Sequence, residues 1–396
     1  MKGKKQIATL LACGIALGAT GCASAQAGAE NPNQDYQATI LSSMQGTTIA
    51  LLDGAVGDFA SNYVKGCAAN AKYTDGIVLM TDRYAPKPAT ITWENLGEDA
   101  LYYTVKVGLE SDLSDAESYL VSDNSVDIDY LYSAKHYYYQ IYAHYEGEKV
   151  VKSRVFDFYT ANLPRTVVVE GVSNTRDIGG RYVQGGKYQV RQGMVYRGGE
   201  VDNTKGAITE EGRRVMLYEL GIKTDLDLRD SITYKTSPID SSLNYVGVSG
   251  PYYADPGYKE KDSGASINSK SYKEALTTEI RTFANPENYP IYLHCSLGRD
   301  RAGTLSFLIG ALIGIEEVDL YRDYEMSFFS VNGWADAKQS VGQHSNLMRS
   351  LDSLTTYLKQ YGNGTLQENT EKYVKEYLGI TQEEVDSIRN ILLEEV

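Results

Sequence analysis

The chain has 396 residues, 42% of them hydrophobic and 23% charged, and a formal net charge of −14 at pH 7. That length suits two domains plus an export signal, and the apolar content is ordinary for a globular protein. The acidic balance argues against nucleic acid as a partner, because nucleic acids are bound through clustered lysine and arginine. A site for any polyanionic ligand in such a chain must concentrate its cationic side chains locally.

Residues 1–25 have the layout of a secretory signal peptide, with a lysine-rich start, an apolar run over Ile7–Ala19 and small residues at the end. Two cleavage sites compete. Ala19–Cys22 is similar to a lipobox, which would leave Cys22 as a lipidated first residue, whereas Ala23–Ala25 fits signal peptidase cleavage. We predict an exported protein, extracellular or in the cell envelope, that attaches to the membrane if Cys22 is lipidated.

Two cysteines, Cys67 and Cys295, lie beyond the signal, so a disulfide framework is excluded. Cys295 stands in a loop rich in Gly and Arg, which indicates a thiol kept for its chemistry. Cys67, among Ala and Gly, is interpreted as an inert buried thiol.

Residues 26–74 are predicted to be a polar tether followed by a loosely helical segment. Residues 75–162 show short alternating runs rich in Tyr, Val, Ile and Thr, which are typical of a small all-β sandwich. The strands that we predict there are Gly76–Met80, Ala89–Glu94, Tyr102–Leu109, Val126–Ile128, Tyr137–Tyr145 and Val151–Tyr159.

Trp93 and the stretch Leu131–Tyr137 resemble the core tryptophan and the tyrosine corner of fibronectin type III domains. The many tyrosines of this region leave a protein or glycan partner open. Strand aromatics more often serve packing, so we assign no binding site to them.

Residues 163–396 alternate strands with helices, the pattern of an α/β domain. The predicted strands are Val167–Glu170, Lys223–Leu228, Tyr245–Val248 and Ile291–His294. The predicted helices are Thr209–Leu220, Ser271–Phe283, Ala302–Ile315, Glu317–Phe328, Ser345–Tyr361, Thr370–Leu378 and Thr381–Leu393. Thr381 and Glu384 have the spacing of a capping box at the start of the last helix.

The segment around Cys295 carries the most chemical information. It reads as a buried strand, Ile291–His294, then a tight loop from Cys295 to Arg301, then an apolar helix. Such a loop surrounds a tetrahedral oxyanion with backbone N–H groups and the positive end of the helix. The same field favours the thiolate form of Cys295 at neutral pH.

A thiolate under a bound phosphate can attack phosphorus in line, while the planar guanidinium of Arg301 holds two oxygens and stabilises the spreading charge. Gly298 allows close approach of the backbone. We therefore predict Cys295 as nucleophile and Arg301 as phosphate clamp, with Ser296, Leu297, Gly298, Arg299 and Ala302 as the rest of the phosphate-binding loop.

The string His-Cys-x-x-Gly-x-x-Arg resembles the phosphate loop of the cysteine-dependent tyrosine phosphatase superfamily, in particular the bacterial branch of atypical tyrosine and lipid phosphatases. Further segments that look like motifs of that branch are Asn174–Gly180, Tyr196–Gly199, Asp227–Arg229 and Arg322–Tyr324. The resemblance covers about residues 167–396. It implies a phosphatase with a central sheet flanked by helices, which follows the fibronectin-like sandwich in the sequence. We predict no cofactor.

Two positions depart from the branch. Arg299 stands where the branch usually has Lys, and its broader planar donor suits a second phosphate or a headgroup. Ala302 replaces the Thr or Ser whose hydroxyl helps release the cysteine sulfur in the family, which puts turnover of the phosphoenzyme in question.

The reaction also needs a proton donor for the leaving oxygen. The resemblance favours Asp227 as general acid and Asp300 as an auxiliary acid/base, although for either a salt bridge or a helix cap is the competing interpretation. Asp255 and Asp262 are weaker candidates on a long loop.

We expect Arg176 or Arg229 near the substrate and His294 as a structural support of the loop. No cluster of His or Cys has metal-ligand spacing, so no metal is required.

The sequence thus predicts an exported phosphatase with phosphotyrosine, phosphoserine or phosphothreonine (dual specificity), or phosphoinositides as substrates. An inositol phosphate phosphatase of phytase type, or a module that binds a phosphorylated ligand through an impaired loop, are alternatives. A sulfur-transfer or redox enzyme is disfavoured by Arg301 and by the lack of a resolving cysteine nearby.

Overall fold

The computed structural model describes residues 40–52, 54–69, 73, 86–203, 206–230, 234–250, 270–330 and 337–396. The predicted signal peptide, the strand Gly76–Met80, Asp255 and Asp262 lie outside these residues. The chain divides into two units. The described part of the first is residues 40–48, 90–128 and 136–159, and the second draws on Ile49–Ala89, Asp129–Lys135 and Thr160–Val396.

The first unit contains two β-sheets. Its strands are β1 (Ile40–Ser42), β2 (Thr47–Ile49), β3 (Ala89–Asn95), β4 (Tyr102–Gly108), β5 (Glu117–Val121), β6 (Ser125–Ile128), β7 (His136–His144), β8 (Val150–Lys152) and β9 (Phe156–Thr160). One sheet has the order β1-β3-β6, and the other has the order β2-β9-β7-β4-β5 with β8 beside β7.

Alternation of side chains builds the core of this unit. Every second residue of β7 is buried, among them Tyr139 and Ile141. The two sheets meet where the ring of Trp93 packs edge-on against Tyr103, with ring centroids 5.1 Å apart. The all-β character follows from the period-2 pattern, whereas the specific resemblance to fibronectin type III domains stays a prediction.

The strand predictions for this unit need correction. The predicted strand Val151–Tyr159 is two strands, β8 and β9, because the chain leaves the ladder at Ser153, whose hydroxyl accepts a hydrogen bond from the N–H of Ile141 at 3.0 Å. Strand β5 was missed, since its mostly exposed residues give no clean alternation. Strands β1 and β2 were also missed, because residues 26–74 were predicted as a tether and a helical segment.

The second unit is built on a five-stranded sheet. The strands that follow β9 are β10 (Arg176–Asp177), β11 (Tyr188–Val190), β12 (Val195–Gly198), β13 (Asp202–Asn203), β14 (Gly206–Ala207), β15 (Thr224–Asp227), β16 (Asn244–Gly247), β17 (Ile291–His294) and β18 (Leu393–Glu395). The sheet has the order β10-β12-β17-β15-β16, and its strands are parallel except for β10.

Helices surround this sheet. They are α1 (Gly54–Ser61), α2 (Glu210–Arg214), α3 (Lys270–Ala284), α4 (Arg301–Ile313), α5 (Glu317–Met326), α6 (Ala337–Lys359), α7 (Leu366–Glu376) and α8 (Gln382–Leu392). The predicted capping box of Thr381 with Glu384 is confirmed at the start of α8. Within the described residues, no helix has the length and apolar character needed to cross a bilayer.

The predicted strand Val167–Glu170 is wrong. Within this segment, only Val169 pairs, in an isolated bridge with Val172. Val167 and Val169 are buried in a side cluster of the core, so their alternation reports burial and not membership of the sheet.

The sheet order determines where the functional loops meet. β17 lies between β12 and β15, and its last residue, His294, is level with Gly198 on one side and Asp227 on the other. The carboxyl ends of parallel strands share one edge of a sheet, which is where ligands bind in open α/β folds. The residues that follow these three strands are therefore brought together at that edge.

Candidate active site

The loop after β17 begins with Cys295 and ends at Arg301, the first residue of α4. Cys295 is buried. Gly298 has φ +66°, and a Cβ added there would lie 2.4 Å from the carbonyl carbon and oxygen of Gly198. Both the backbone conformation and the close approach to β12 therefore require glycine at this position.

Four successive carbonyls of the loop accept hydrogen bonds from the surrounding chain. The carbonyl of Ser296 accepts from the N–H of Glu200 at 3.2 Å, and that of Leu297 from Nδ2 of Asn174 at 2.9 Å. Nη2 of Arg197 donates to the carbonyls of Gly298 at 2.6 Å and Arg299 at 3.2 Å.

These hydrogen bonds to the carbonyls also orient the N–H groups of the same peptides. In a planar trans peptide the N–H points away from the C=O. The N–H groups of the residues from Leu297 to Asp300 are thus turned away from Glu200, Asn174 and Arg197. Together with the N-terminus of α4, they form a cluster of donors that can bind an oxyanion.

Three buried arginines meet one carboxylate next to the loop. Asp323 on α5 accepts from Nε of Arg176 at 2.9 Å, from Nη2 of Arg181 at 3.1 Å and from Nη1 of Arg197 at 2.5 Å. Burial opposes ionisation of Asp323, but the charges of the three arginines outweigh it and hold its pKa well below the usual range. Asp323 therefore anchors the arginine that grips the loop carbonyls.

The structure places Arg176, predicted near the substrate, inside this network. Its side chain is fully buried and donates to Asp323, to Oδ1 of Asn174 at 2.6 Å and to the hydroxyl of Ser327 at 3.0 Å. Arg176 thus supports Asn174, which in turn holds the loop. The geometry gives it a supporting place and not an exposed one.

Arg301, the predicted phosphate clamp, is held at the base of the loop. Its Nε donates to the carbonyl of Gly250 at 3.2 Å, and its Nη2 donates to the carboxylate of Asp230. Asp230 also accepts from the hydroxyl of Ser249 at 2.6 Å. Asp230 was not predicted, although it directly follows the motif Asp227–Arg229.

Asp227, predicted as general acid, is fully buried and ion-paired. It accepts from Nε and Nη2 of Arg229 at 2.9 and 2.7 Å and from the hydroxyl of Tyr245 at 3.1 Å. Burial opposes ionisation of this carboxyl, but the charge of His294 and the bonds from Arg229 outweigh it, so the pKa of Asp227 is lowered. Such a carboxylate is a poor proton donor.

Arg229 is likewise committed, since it also donates to Asp202 at 2.7 Å. Next to it, Nε2 of His294 lies 3.0 Å from Oδ1 of Asp225, without the alignment of a hydrogen bond. Burial works against the cationic form of His294, but Asp225 and Asp227 outweigh it and raise its pKa. The pair Asp227–Arg229 and His294 thus stiffen the sheet edge on which Cys295 stands.

Asp300 and Arg299 form a pair at the rim of the loop. Nε and Nη2 of Arg299 donate to the two carboxylate oxygens of Asp300 at 3.0 and 3.2 Å. Asp300 makes no capping hydrogen bond with its side chain, although it stands at the N-cap of α4. Its side chain is 16% exposed, whereas that of Asp227 is not exposed at all.

Ala302 is buried in the first turn of α4, where it offers no hydroxyl to the sulfur. The nearby hydroxyl of Thr304 donates to the carbonyl of Asp300 at 3.0 Å. Over the described stretches of the chain, no group of three or more His, Cys, Asp or Glu side chains is arranged to hold a metal ion.

Asn174, Arg197 and Asp323 stand inside segments that the sequence marks as motifs, but their pairing was not predictable from it. Glu279, a buried carboxyl on α3, carried no signal at all.

The model of the tyrosine phosphatase family matches residues 167–394, which is more than half of the chain. This chain belongs to that family. It is similar to a Cupriavidus necator protein provisionally named a tyrosine-protein phosphatase, with 25% identity over 173 residues. The match spans 39% of this chain and 59% of that relative.

Among solved structures, the chain is similar to the core catalytic domain of the PP-IP phosphatase Siw14 from S. cerevisiae in complex with citrate, with 19% identity and a TM-score of 0.25. That match covers 41% of this chain and 89% of the other. A second structure of the Siw14 catalytic core is 17% identical, with a TM-score of 0.26 and coverage of 46% and 95%.

Proposed function

We propose that this protein hydrolyses phosphate monoesters through a phosphocysteine on Cys295. The observation that carries the proposal is that the loop carbonyls from Ser296 to Arg299 all accept hydrogen bonds from the surrounding chain. The N–H group that follows each carbonyl therefore points away from the donor that the carbonyl binds. A ring of amide donors beside a buried cysteine suits a PO₃ group in transfer.

In the first step, the Cys295 thiolate attacks phosphorus. The sulfur–phosphorus bond forms as the phosphorus–oxygen ester bond breaks, and the leaving oxygen takes a proton from an acid. Arg301 balances the charge on the equatorial oxygens. In the second step, water attacks phosphorus, a base takes its proton, and the thiolate leaves with release of inorganic phosphate.

Asp300 is the carboxyl that we assign to this proton transfer, in place of Asp227. Arg299 donates to both carboxylate oxygens of Asp300, but Asp300 lies on the loop itself and its side chain is 16% exposed, whereas that of Asp227 is fully buried beside Arg229 and Tyr245. Removal of Asp227 should therefore affect mainly the stability of the sheet edge.

Phosphotyrosine is the substrate that we favour over inositol polyphosphates. A second phosphate would need a cation at the rim, and Arg299 is buried with two of its donors on Asp300. The family to which the chain belongs agrees with this choice.

We further propose export, because residues 1–25 have the layout of a signal peptide.

Phosphate release from phosphotyrosine peptides, phosphoinositides and inositol phosphates tests this proposal. We expect Cys295→Ser to abolish release and Asp300→Asn to lower kcat about 10²- to 10⁴-fold, the usual contribution of a positioned acid. Asp227→Asn should lower the unfolding midpoint, and it should lower kcat far less than Asp300→Asn does. The exposed Asp386→Asn, on α8, serves as the control.

A labelled phosphocysteine that forms and never turns over would instead make the protein a binder of phosphorylated ligands, the alternative suggested by Ala302. Full activity in Asp300→Asn together with a large loss of kcat in Asp227→Asn would reverse the assignment of the acid.

A further inference from the structure

Helix α3 carries a carboxyl group in an unusual environment. Glu279 is fully buried, and neither of its carboxylate oxygens has a hydrogen-bond partner within the described parts of the chain. A buried carboxylate without partners is costly, so such a group normally stays protonated or faces a cation. The surroundings of Glu279 decide which applies.

Glu279 lies against the residue that holds the phosphate clamp. A Cβ added to Gly250 would be 2.9 Å from Oε1 of Glu279 and 3.4 Å from Cβ of Leu228. The carbonyl of the same Gly250 accepts from Nε of Arg301 at 3.2 Å. The carboxyl of Glu279 and the guanidinium of Arg301 therefore both contact Gly250.

Ionisable groups on two neighbouring helices act on this carboxyl. Arg301 faces it from α4 and favours its ionisation, and Tyr373 faces it from α7. Burial and the neighbouring Tyr357, Tyr377 and Tyr361 raise the pKa of Tyr373 far above 10, so its hydroxyl stays neutral. Asp230 already binds Arg301 by another nitrogen.

Burial raises the pKa of Glu279 to about 8, and the charge of Arg301 offsets this only in part. The group is therefore protonated at pH 7 and ionises just above it.

We propose that Glu279 is a positioning residue of the phosphate clamp: as a neutral acid it leaves the charge of Arg301 to the substrate phosphate, and as a carboxylate it competes for that charge. The inference rests on the proposed function, since it assigns Arg301 to the phosphate. Phosphate binding is then linked to the protonated form of Glu279.

The sign and size of the effect follow from linkage. If the complex requires the protonated form, a dianionic ligand binds about tenfold more weakly at about pH 9 than at about pH 7, because one proton must be taken up above a pKa near 8. Phosphotyrosine is a suitable probe, because its second pKa of about 6 keeps it dianionic over this range.

The experiment measures the Kd of phosphotyrosine by calorimetry on the full chain carrying Cys295→Ser, between about pH 7 and about pH 9. We expect the tenfold rise in Kd in this background. Adding Glu279→Gln, which mimics the neutral acid, should keep the Kd at pH 7 and abolish the rise. Adding Glu274→Gln, an exposed position on the same helix, should leave the rise intact.

A Kd that rises equally with and without Glu279→Gln would overturn the inference while leaving the proposed function in place. Absence of phosphotyrosine binding at every pH would overturn the part of the proposed function that makes phosphotyrosine the substrate. Thermal melting checks that the variants fold. Glu279→Met, also neutral and of similar length, replaces Glu279→Gln if the amide destabilises the site, and it should give the same flat profile.

Discussion

At the scale of single residues, the conformation of the predicted phosphate-binding loop depends on Gly298. Its positive φ and its contact with Gly198 act together, since the loop must turn sharply while it touches β12. Gly221 has a similar φ of +61° but nothing within 4 Å of an added Cβ. A substitution at Gly221 therefore tests the effect of backbone strain alone, whereas one at Gly298 adds the effect of a steric contact.

We predict that Gly298→Ala lowers kcat/KM by about 10²-fold or more, because a displaced loop misplaces the nucleophile. Gly221→Ala should cost about 1–2 kcal/mol of unfolding free energy, the penalty of left-handed backbone, without changing kcat/KM. Steady-state kinetics and urea unfolding of both variants provide the measurement. Equal activity in the two variants would show that the contact with β12 is dispensable.

The stability of the second unit also depends on Asp323, because its carboxylate is the common ion-pair partner of three buried arginines. We predict that Asp323→Asn lowers the unfolding free energy at pH 7 by about 3–5 kcal/mol, since it leaves buried charges uncompensated. Asp319→Asn, which breaks a partly exposed pair with Arg322 on the same helix, should cost no more than about 1 kcal/mol.

This contribution should depend on pH in a defined direction. The pKa of Asp323 is depressed in the folded state, so below about pH 4 the unfolded chain takes up a proton that the folded chain does not. The gap between the wild type and Asp323→Asn should therefore shrink as the pH falls below about 4. Urea unfolding at pH 7 and at pH 3 checks this, and a constant gap would contradict it.

At the scale of elements, residues 54–69, which precede strand β3, are part of the second unit. The carboxylate of Glu325 on α5 accepts from the hydroxyl of Tyr63 at 2.6 Å and from the N–H groups of Gly66 at 2.6 Å and Ala68 at 3.2 Å. Phe59 on α1 packs against Phe329 with ring centroids 4.7 Å apart. Helical spacing indicated α1, but only these contacts show which core it serves.

We predict that Phe59→Ala lowers the unfolding free energy of the second unit by about 3–5 kcal/mol, the usual cost of truncating a buried aromatic. Val64→Ala on the same segment should change it by less than about 0.5 kcal/mol, because Val64 is 69% exposed. Under the proposed function, the loss of phosphate release with increasing urea reports on the folding of this unit. Similar midpoints for the two variants would mean that the segment is not needed for stability.

At the scale of the whole molecule, the second unit is discontinuous in sequence. It includes Leu52, Val56, Phe59 and Ala68 in its main core, far before Thr160. It also includes Asp129–Lys135, where Nε of Arg165 donates to the carbonyl of Leu131 at 3.0 Å. The predicted phosphatase domain, residues 163–396, omits both contributions.

We predict that a fragment of residues 163–396 does not fold into an active phosphatase, whereas residues 40–396 do. Each large apolar side chain lost from the core removes about 1.5–3 kcal/mol, and a whole domain is stable by about 5–15 kcal/mol. Circular dichroism melting and phosphate release compare the two fragments. An active fragment of residues 163–396 with the same melting temperature would show that the earlier segments are not needed for stability or activity.

The sequence by itself determined the strand, loop and helix that present Cys295 and Arg301. These features are local, because a buried strand, a glycine turn and a helix start are encoded by neighbouring residues. It also determined that arginines and aspartates gather in a few motifs. Hydrophobic alternation identified most strands of the first unit, and it failed at Val167–Glu170, where burial without strand pairing gives the same pattern.

The tertiary structure alone decided which charges meet. Arg176 and Arg197 bind Asp323 across more than a hundred residues, Arg229 pairs with Asp227, and Glu279 reaches Gly250 from helix α3. Such pairings depend on how elements pack after the chain has folded. A sequence pattern records the type of each charged residue but not its distance from a partner, and that distance decides whether a carboxyl donates a proton, anchors an arginine or stays neutral.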